Sequence, residues 1–234
     1  VIRALVTGGA SPLGEAICRR LAADGFFVCV HAHASIARAE ALAAEIGGAA
    51  FACDLADFDA AAAAMGRVLE AGVVQVVVHN AGVHDDVVMA GMTRARWRGP
   101  LGVGLDGFFS VVQPLLLPML GARWGRIIAV SSVTALLGNR GQVAYGAAKA
   151  GLMGAVKSLS REVASRGITV NAVAPGVIAS PAVDAAMDPA QIAAMVPMKR
   201  AGRPEEVADL IGFLASRQSG YISGQTISID GGMT

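Results

Sequence analysis

Tyr145 and Lys149 stand four residues apart in a chain that has only two tyrosines and three lysines. On a helix that spacing puts both side chains on one face. A phenol with an ordinary pKa of about 10 is a poor acid–base group at neutral pH, and a neighbouring ammonium favours phenolate and lowers that value. Such a pair suits proton transfer to or from an alcohol oxygen. Ser132 adds a hydroxyl that can orient a carbonyl, and it follows a strand-like run, at the place where ligands of open parallel sheets bind. Taken alone, Tyr-x-x-x-Lys more often describes a surface helix pair, so the surrounding elements decide.

A second constellation opens the chain. The apolar run Ile2–Thr7 leads into Thr7-Gly8-Gly9-Ala10-Ser11-Pro12-Leu13-Gly14. Glycines here let the backbone turn tightly and bring helix-start amides to a pyrophosphate. The spacing is not Gly-x-Gly-x-x-Gly. Pro12 fits as the first helical residue with Ser11 as N-cap, at the cost of one amide. Dinucleotide sites usually carry an acid at the end of the second strand to hold the adenosine ribose. Here that stretch reads His31-Ala32-His33-Ala34-Ser35, followed by Arg38. No carboxylate would repel a 2′-phosphate, and His33, Ser35 and Arg38 could contact one, which favours NADP(H) over NAD(H). The alternative is that these residues only solvate a strand end.

The elements that must position these residues alternate along the chain. Strand-length apolar runs occur at Ile2–Thr7, Phe26–His31, Ala49–Cys53, Val73–His79, Gly125–Ser131, Ile168–Ala174 and Thr226–Asp230. Several are continuous Val/Ile runs, the pattern of parallel strands covered on both faces. Helix-period segments lie between them at Leu13–Ala23, Ser35–Ile46, Phe58–Glu70 and Ala144–Arg166. The βαβ alternation predicts an α/β, doubly wound parallel sheet in one domain spanning residues 1–234.

Composition sets the outer bounds. The 234 residues are 54% hydrophobic and 16% charged, which excludes a disordered chain. The net charge of +1, without a basic run, argues against nucleic acid as a partner. Mean hydropathy is +0.56, yet the longest uncharged stretches, Gly107–Ala122 and Gly167–Val183, fall short of a bilayer helix and contain prolines, so no membrane span is expected. Cys18, Cys29 and Cys53 form no Cys-x-x-Cys pair, which points away from disulfides and zinc and towards a reducing, cytoplasmic setting. No export signal is visible.

Together these residues resemble the short-chain dehydrogenase/reductase family along essentially the whole chain. The resemblance rests on Thr7-Gly8…Gly14, Asp54-Leu55, Asn80-Ala81-Gly82, Ser132, Tyr145, Lys149, Asn171, Pro175-Gly176-Val177-Ile178, Tyr221-Ile222-Ser223-Gly224-Gln225 and Asp230-Gly231-Gly232. It implies a Rossmann-like fold with a seven-stranded sheet and helices on both faces. It further implies that Ser132, Tyr145 and Lys149 are catalytic, with Tyr145 as the acid in reduction. Gly8, Ser11, Pro12, Leu13, His33, Ser35, Asp54, Leu55, Asn80, Ala81, Gly82, Tyr145, Lys149, Pro175, Gly176, Ile178 and Ser180 would line NADP(H), with no metal.

Within the family, Gly138-Asn139-Arg140-Gly141-Gln142 and Arg161–Asn171 look most like 3-oxoacyl-acyl-carrier-protein reductases, and His84-Asp85-Asp86 looks like the aryl-polyene pigment type. That likeness implies reduction of a carrier-bound 3-oxoacyl thioester in fatty-acid or polyene/polyketide synthesis. It also implies an acyl carrier protein steered by Arg123 and Arg166 beside the cleft, and a homotetramer with Val111–Met119 and the last strand in its interfaces. The competing readings are reduction of a small ketone, sugar or steroid, and a weakly catalytic cofactor-binding sensor or partner protein. Three positions depart from the family pattern: Pro12 for glycine, His79 for the first asparagine of Asn-Asn-Ala-Gly, and Gly104 for an asparagine whose carbonyl holds a water leading from the lysine. His79 is expected to be structural. Gly99–Gly104, with a proline and three glycines, predicts an irregular helix start.

Overall fold

The computed structural model describes every residue from Val1 to Thr234. The apolar runs form strands β1 (Arg3–Thr7), β2 (Phe27–Ala32), β3 (Ala49–Ala52), β4 (Val74–His79), β5 (Gly125–Val130), β6 (Ile168–Pro175) and β7 (Thr226–Ile229). They pair in the order β3-β2-β1-β4-β5-β6-β7, every pair parallel. Continuous Val/Ile runs follow from this arrangement, because both faces of each central strand are covered. In β4, Val74 and Val77 enter a core of 23 buried residues, while Val76 and Val78 enter one of 22 on the opposite face. The sheet is thus insulated almost equally on its two sides.

The helices are α1 (Pro12–Ala23), α2 (Ile36–Ile46), α3 (Phe58–Glu70), α4 (Arg94–Leu101), α5 (Gly107–Ala122), α6 (Thr134–Leu137), α7 (Val143–Val163), α8 (Pro181–Ala186), α9 (Pro189–Met195) and α10 (Pro204–Ala215). Helices α1, α2 and α10 cover one face through residues such as Ile17, Leu42 and Ile211. Helices α3, α5 and α7 cover the other through Met65, Leu115 and Leu152. The chain winds from β1 outward to β3, then returns to β4 on the other side of β1. That reversal leaves a crevice above the C-terminal ends of β1 and β4.

The expected strands lie within one residue of the observed ones, and α7 ends at Val163 in a short 3₁₀ turn, Ala164–Arg166. The expected irregular segment is different. Helix α4 runs through Pro100 into a single π-helical turn, Gly102–Asp106, and on into α5 without a break. The glycines serve close packing: a Cβ on Gly102 would lie 3.3 Å from Ala56 Cβ, and one on Gly107 would lie 3.1 Å from Leu55 Cβ. Packing against the Asp54–Ala56 loop overrides weak helix propensity. Joined in this way, Arg94–Ala122 is long and apolar enough to cross a membrane by length and composition. The separate stretches of the sequence did not reach that length. In the fold, however, its Phe108, Val111, Val112, Leu115 and Met119 are core residues.

Helix α1 starts where the sequence places it. Ser11 caps it by accepting the Gly14 N–H at 3.1 Å, with Pro12 as first residue. Gly8 adopts φ +61°, and a Cβ on Gly14 would collide with the Gly8 carbonyl oxygen. An alanine in a helix normally gains up to about 1 kcal/mol over glycine. Here overpacking of about 1–3 kcal/mol should win. Gly14→Ala is therefore expected to lower the urea midpoint, and an unchanged or raised midpoint would contradict this packing.

Candidate active site

The end of β5 and the first turns of α7 bring three polar side chains together. Ser131 Oγ donates to the Lys149 carbonyl at 2.8 Å, and Lys149 Nζ donates to the Val130 carbonyl at 2.7 Å. These two bonds lock α7 onto the strand end. Ser132 Oγ accepts the Thr134 N–H at 3.1 Å, and its hydroxyl lies near enough to the Tyr145 phenol to favour the phenolate. Lys149 is 3% exposed, and burial pushes its amine down to about 8. Its Nζ lies 5.6 Å from the centre of the Tyr145 ring.

The Tyr145 phenol moves opposite to the sequence expectation. Burial pushes its pKa up, against the lowering effect of the Ser132 hydroxyl. The ammonium is drawn to Val130 rather than to the phenol oxygen, so it does not reverse the shift. A phenol held protonated is suited to acid catalysis, the direction needed to reduce a carbonyl.

At the switch point, Asn80 spends its side-chain amide on the glycine-rich turn, donating to the carbonyls of Thr7 and Gly8, both at 3.1 Å. Gly8, Ala81 and Gly82 line a cavity of about 160 Å³ together with His33, Asp54, Leu55 and Val103. Gly82 also packs against the amine: a Cβ there would stand 3.0 Å from Lys149 Nζ. The chemistry of these residues is compatible with the adenosine half of a dinucleotide, and Ser11, Pro12 and Leu13 form the adjoining turn at the start of α1. His33 and Ser35 are exposed just beyond β2, and the absence of a carboxylate at that strand end fits NADP(H). Arg38 does not join them, because it forms an ion pair with Glu15 on α1. At the other end, Gly176 donates its N–H to the Ile229 carbonyl at 3.0 Å, and a Cβ there would meet Asp230 Cα at 2.8 Å. Pro175 ends β6, Ile178 bridges to Gly202, and Ser180 caps α8 by accepting from Val183 N–H at 3.2 Å.

Two buried histidines hold this edge together, and only one was singled out in the sequence. His31 Nδ1 accepts from Gly8 N–H at 3.1 Å while its Nε2 donates to the Cys53 carbonyl at 3.1 Å. An isolated imidazole inside the apolar run of β2 was the signal for it. His79, expected to be structural, is fully buried; its Nδ1 meets Thr7 Oγ1 at 3.2 Å and its Nε2 meets the Gly104 carbonyl at 2.8 Å. Thr7 Oγ1 also accepts the N–H groups of Asn80 and Ala81. Its own proton therefore goes to Nδ1, and Nε2–H donates to Gly104. Burial and the nearby Lys149 push His79 down to about 3, and burial lowers His31 as well.

The mouth is walled by two loops. Val87 N–H donates to the Gly141 carbonyl at 2.8 Å, and Gln142 Nε2 donates to Asp86 at 2.9 Å. His84 pairs with Asp86 and stands edge-on to the Tyr145 ring, 6.2 Å between centres. Arg123 and Arg166 are not beside this cleft in their own chain. Arg123 is the C-cap of α5 and Arg166 is the last residue of the turn after α7, each two residues before β5 and β6 begin. A six-residue strand spans about 20 Å, so they lie at the opposite edge of the sheet from Tyr145.

A sequence profile for the family described as enoyl-(acyl carrier protein) reductase matches residues 8–234. The chain is 39% identical to nodulation protein G of Azospirillum brasilense, covering 98% of this chain and 97% of that one. It is 40% identical to a 3-oxoacyl-[acyl-carrier-protein] reductase of Aggregatibacter actinomycetemcomitans, covering 98% of each. It is also 40% identical to an acetoacetyl-CoA reductase of Rhizobium meliloti, covering 98% of this chain and 97% of that one. The chain belongs to the short-chain dehydrogenase/reductase family. It is an NAD(P)-dependent oxidoreductase acting on an alcohol or carbonyl group.

Two titrations follow from this geometry. Cofactor phosphates favour a charged Lys149, so dinucleotide affinity should fall as pH rises through about 8, while Lys149→Met should bind weakly with no such midpoint; calorimetry between pH 6.5 and 9.5 measures both. His79 has its folded value depressed to about 3 from an ordinary 6.5. Between those values the unfolded chain binds a proton that the native one does not. Stability is therefore full above about pH 6.5 and should fall by up to about 1.4 kcal/mol per unit below it. A urea midpoint that does not move between pH 7 and 5 would contradict the buried neutral imidazole.

Proposed function

We propose that this enzyme uses NADP(H) to reduce a 3-oxoacyl thioester to the 3-hydroxyacyl thioester. The observation that carries this reading is the Ser132–Tyr145–Lys149 set at the end of β5 and the start of α7, with Lys149 Nζ 5.6 Å from the centre of the Tyr145 ring and the phenol held protonated by burial. The relatives named as 3-oxoacyl and acetoacetyl reductases support the substrate class, since acetoacetyl is itself a 3-oxoacyl group. NADP(H), when bound, supplies the hydride. The chain's own residues do the rest. Ser132 holds the ketone oxygen by a hydrogen bond, Tyr145 donates its phenolic proton to that oxygen, and Lys149 adds positive charge behind the phenol. Gly8, Ser11, Pro12 and Leu13 would hold the pyrophosphate. His33 and Ser35 would face the 2′-phosphate, Asp54 and Leu55 the adenine, and Pro175, Gly176, Ile178 and Ser180 the nicotinamide end.

An acyl carrier protein is the proposed bearer of the thioester, with Arg123 and Arg166 as its anchors. Their position at the far edge requires a second protomer. A two-fold axis running α5 and α7 antiparallel to their copies would carry the arginines of one protomer towards the mouth of the other. Exposed Phe109 and Leu117 on α5 give such a contact apolar area, in keeping with the proposed homotetramer.

Loss of NADPH absorbance with acetoacetyl thioesters tests the reaction. Turnover is expected, and Tyr145→Phe should reduce it by about 10²–10⁴-fold. Turnover of a 2-enoyl thioester but not of the ketone would overturn the reading in favour of C=C reduction, the activity in the family description. Arg123→Glu with Arg166→Glu should raise KM for the carrier substrate about tenfold and leave KM for the CoA substrate unchanged; equal effects on both would reject carrier docking.

A further inference from the structure

His79 lies outside the Ser132–Tyr145–Lys149 set, yet its imidazole joins the cofactor turn to the backbone beside the lysine. On one side, Thr7 Oγ1 collects the N–H groups of Asn80 at 3.0 Å and Ala81 at 2.9 Å and passes its proton to Nδ1. On the other, Nε2–H holds the Gly104 carbonyl at 2.8 Å. Gly104 is the middle residue of the π turn, Gly102–Asp106. It has no side chain with which to fasten that turn.

The π turn is seated on α7 at two points that flank Lys149. A Cβ on Gly104 would stand 3.5 Å from Ala148 Cβ, one residue before the lysine. Leu105 packs into the gap left by Gly151, two residues after it, so closely that a Cβ on Gly151 would fall 2.8 Å from Leu105 Cδ2. Phe108 braces the imidazole edge-on at 5.7 Å between ring centres. The turn thus forms a saddle over the segment that carries the amine, and the imidazole is the side chain that fastens its central carbonyl.

We propose that His79 is a positioning residue for Lys149, clamping the π turn onto α7 so that the lysine stays shielded from water in its place behind Tyr145. The clamp is neutral, so it acts through geometry and burial rather than charge. The ionisable groups around it are Lys149 and His31, the two that influence its own titration. Loosening the turn would let water reach Lys149 and raise its proton affinity towards the ordinary lysine value of about 10.4.

The two amide substitutions separate the two hydrogen bonds. A glutamine amide extends about as far as Nε2 and can still donate to Gly104. An asparagine amide extends only about as far as Nδ1 and keeps the Thr7 contact alone. The readouts are the pH midpoint of NADPH binding and kcat for an acetoacetyl thioester. His79→Asn should move the midpoint upward by about one unit, a tenfold change in proton affinity, and lower kcat at least about tenfold. His79→Gln should restore both to within about threefold. Should His79→Asn fail to fold, Leu105→Ala lifts the other side of the saddle and is expected to shift the midpoint in the same direction. An unmoved midpoint in the folded variants, with only the melting temperature lowered, would reduce His79 to a structural residue and overturn the proposal. Equal losses in the asparagine and glutamine variants would overturn it as well. The midpoint needs no thioester, so a parent enzyme that bound NADPH but left the ketone unreduced would refute the substrate reading and leave the clamp to be judged by binding.

Discussion

An ammonium buried to 3% exposure, with one backbone carbonyl as its hydrogen-bonded partner, is the constraint around which the candidate active site is built. Removing such a group from water is costly and pushes it towards neutrality, which is why Lys149 falls to about 8. The Val130 carbonyl is available to it because β5 ends there, and Ser131 fastens the same strand end to the backbone of Lys149. Strand, helix and amine therefore fix one another. Shift the end of β5 and the lysine loses its partner; shift α7 and Tyr145 leaves Ser132.

Neutral polar groups do the rest of the fastening. Two imidazoles, His31 and His79, and the Thr7 hydroxyl satisfy backbone groups where β1, β2, β3 and β4 open into the crevice. A parallel sheet leaves unpaired N–H and C=O groups at this edge, and buried ones must find partners. The fastening side chains are uncharged, and the ammonium of Lys149 lies against Gly82 at the floor of the crevice. The price is acid sensitivity.

Much of this was legible in the sequence, for physical reasons that can be named. Val73–His79 and Gly125–Ser131 read as parallel strands because burial on both faces demands continuous apolar runs. Ser11 and Pro12 read as a helix start because their capping chemistry is local. Tertiary effects were less legible. Gly102 looked like a helix breaker, whereas Ala56 packs so close that a Cβ there would make a tight contact of 3.3 Å. Arg38 looked free for a phosphate until Glu15, from another helix, paired with it. The direction of the Tyr145 shift depends on burial, which a four-residue spacing does not encode. The placement of Arg123 and Arg166 was available: each stands two residues before a strand, so both had to lie at the edge opposite Tyr145.

The most direct test of this account is the titration of Lys149 itself. The chain has three lysines, so protein labelled with ¹³C at lysine Cε gives a spectrum simple enough to assign with Lys149→Met. The account predicts that the Lys149 resonance titrates near 8 in the free enzyme. Titration at the ordinary lysine value of about 10.4 would contradict the buried, singly partnered ammonium on which the candidate active site depends.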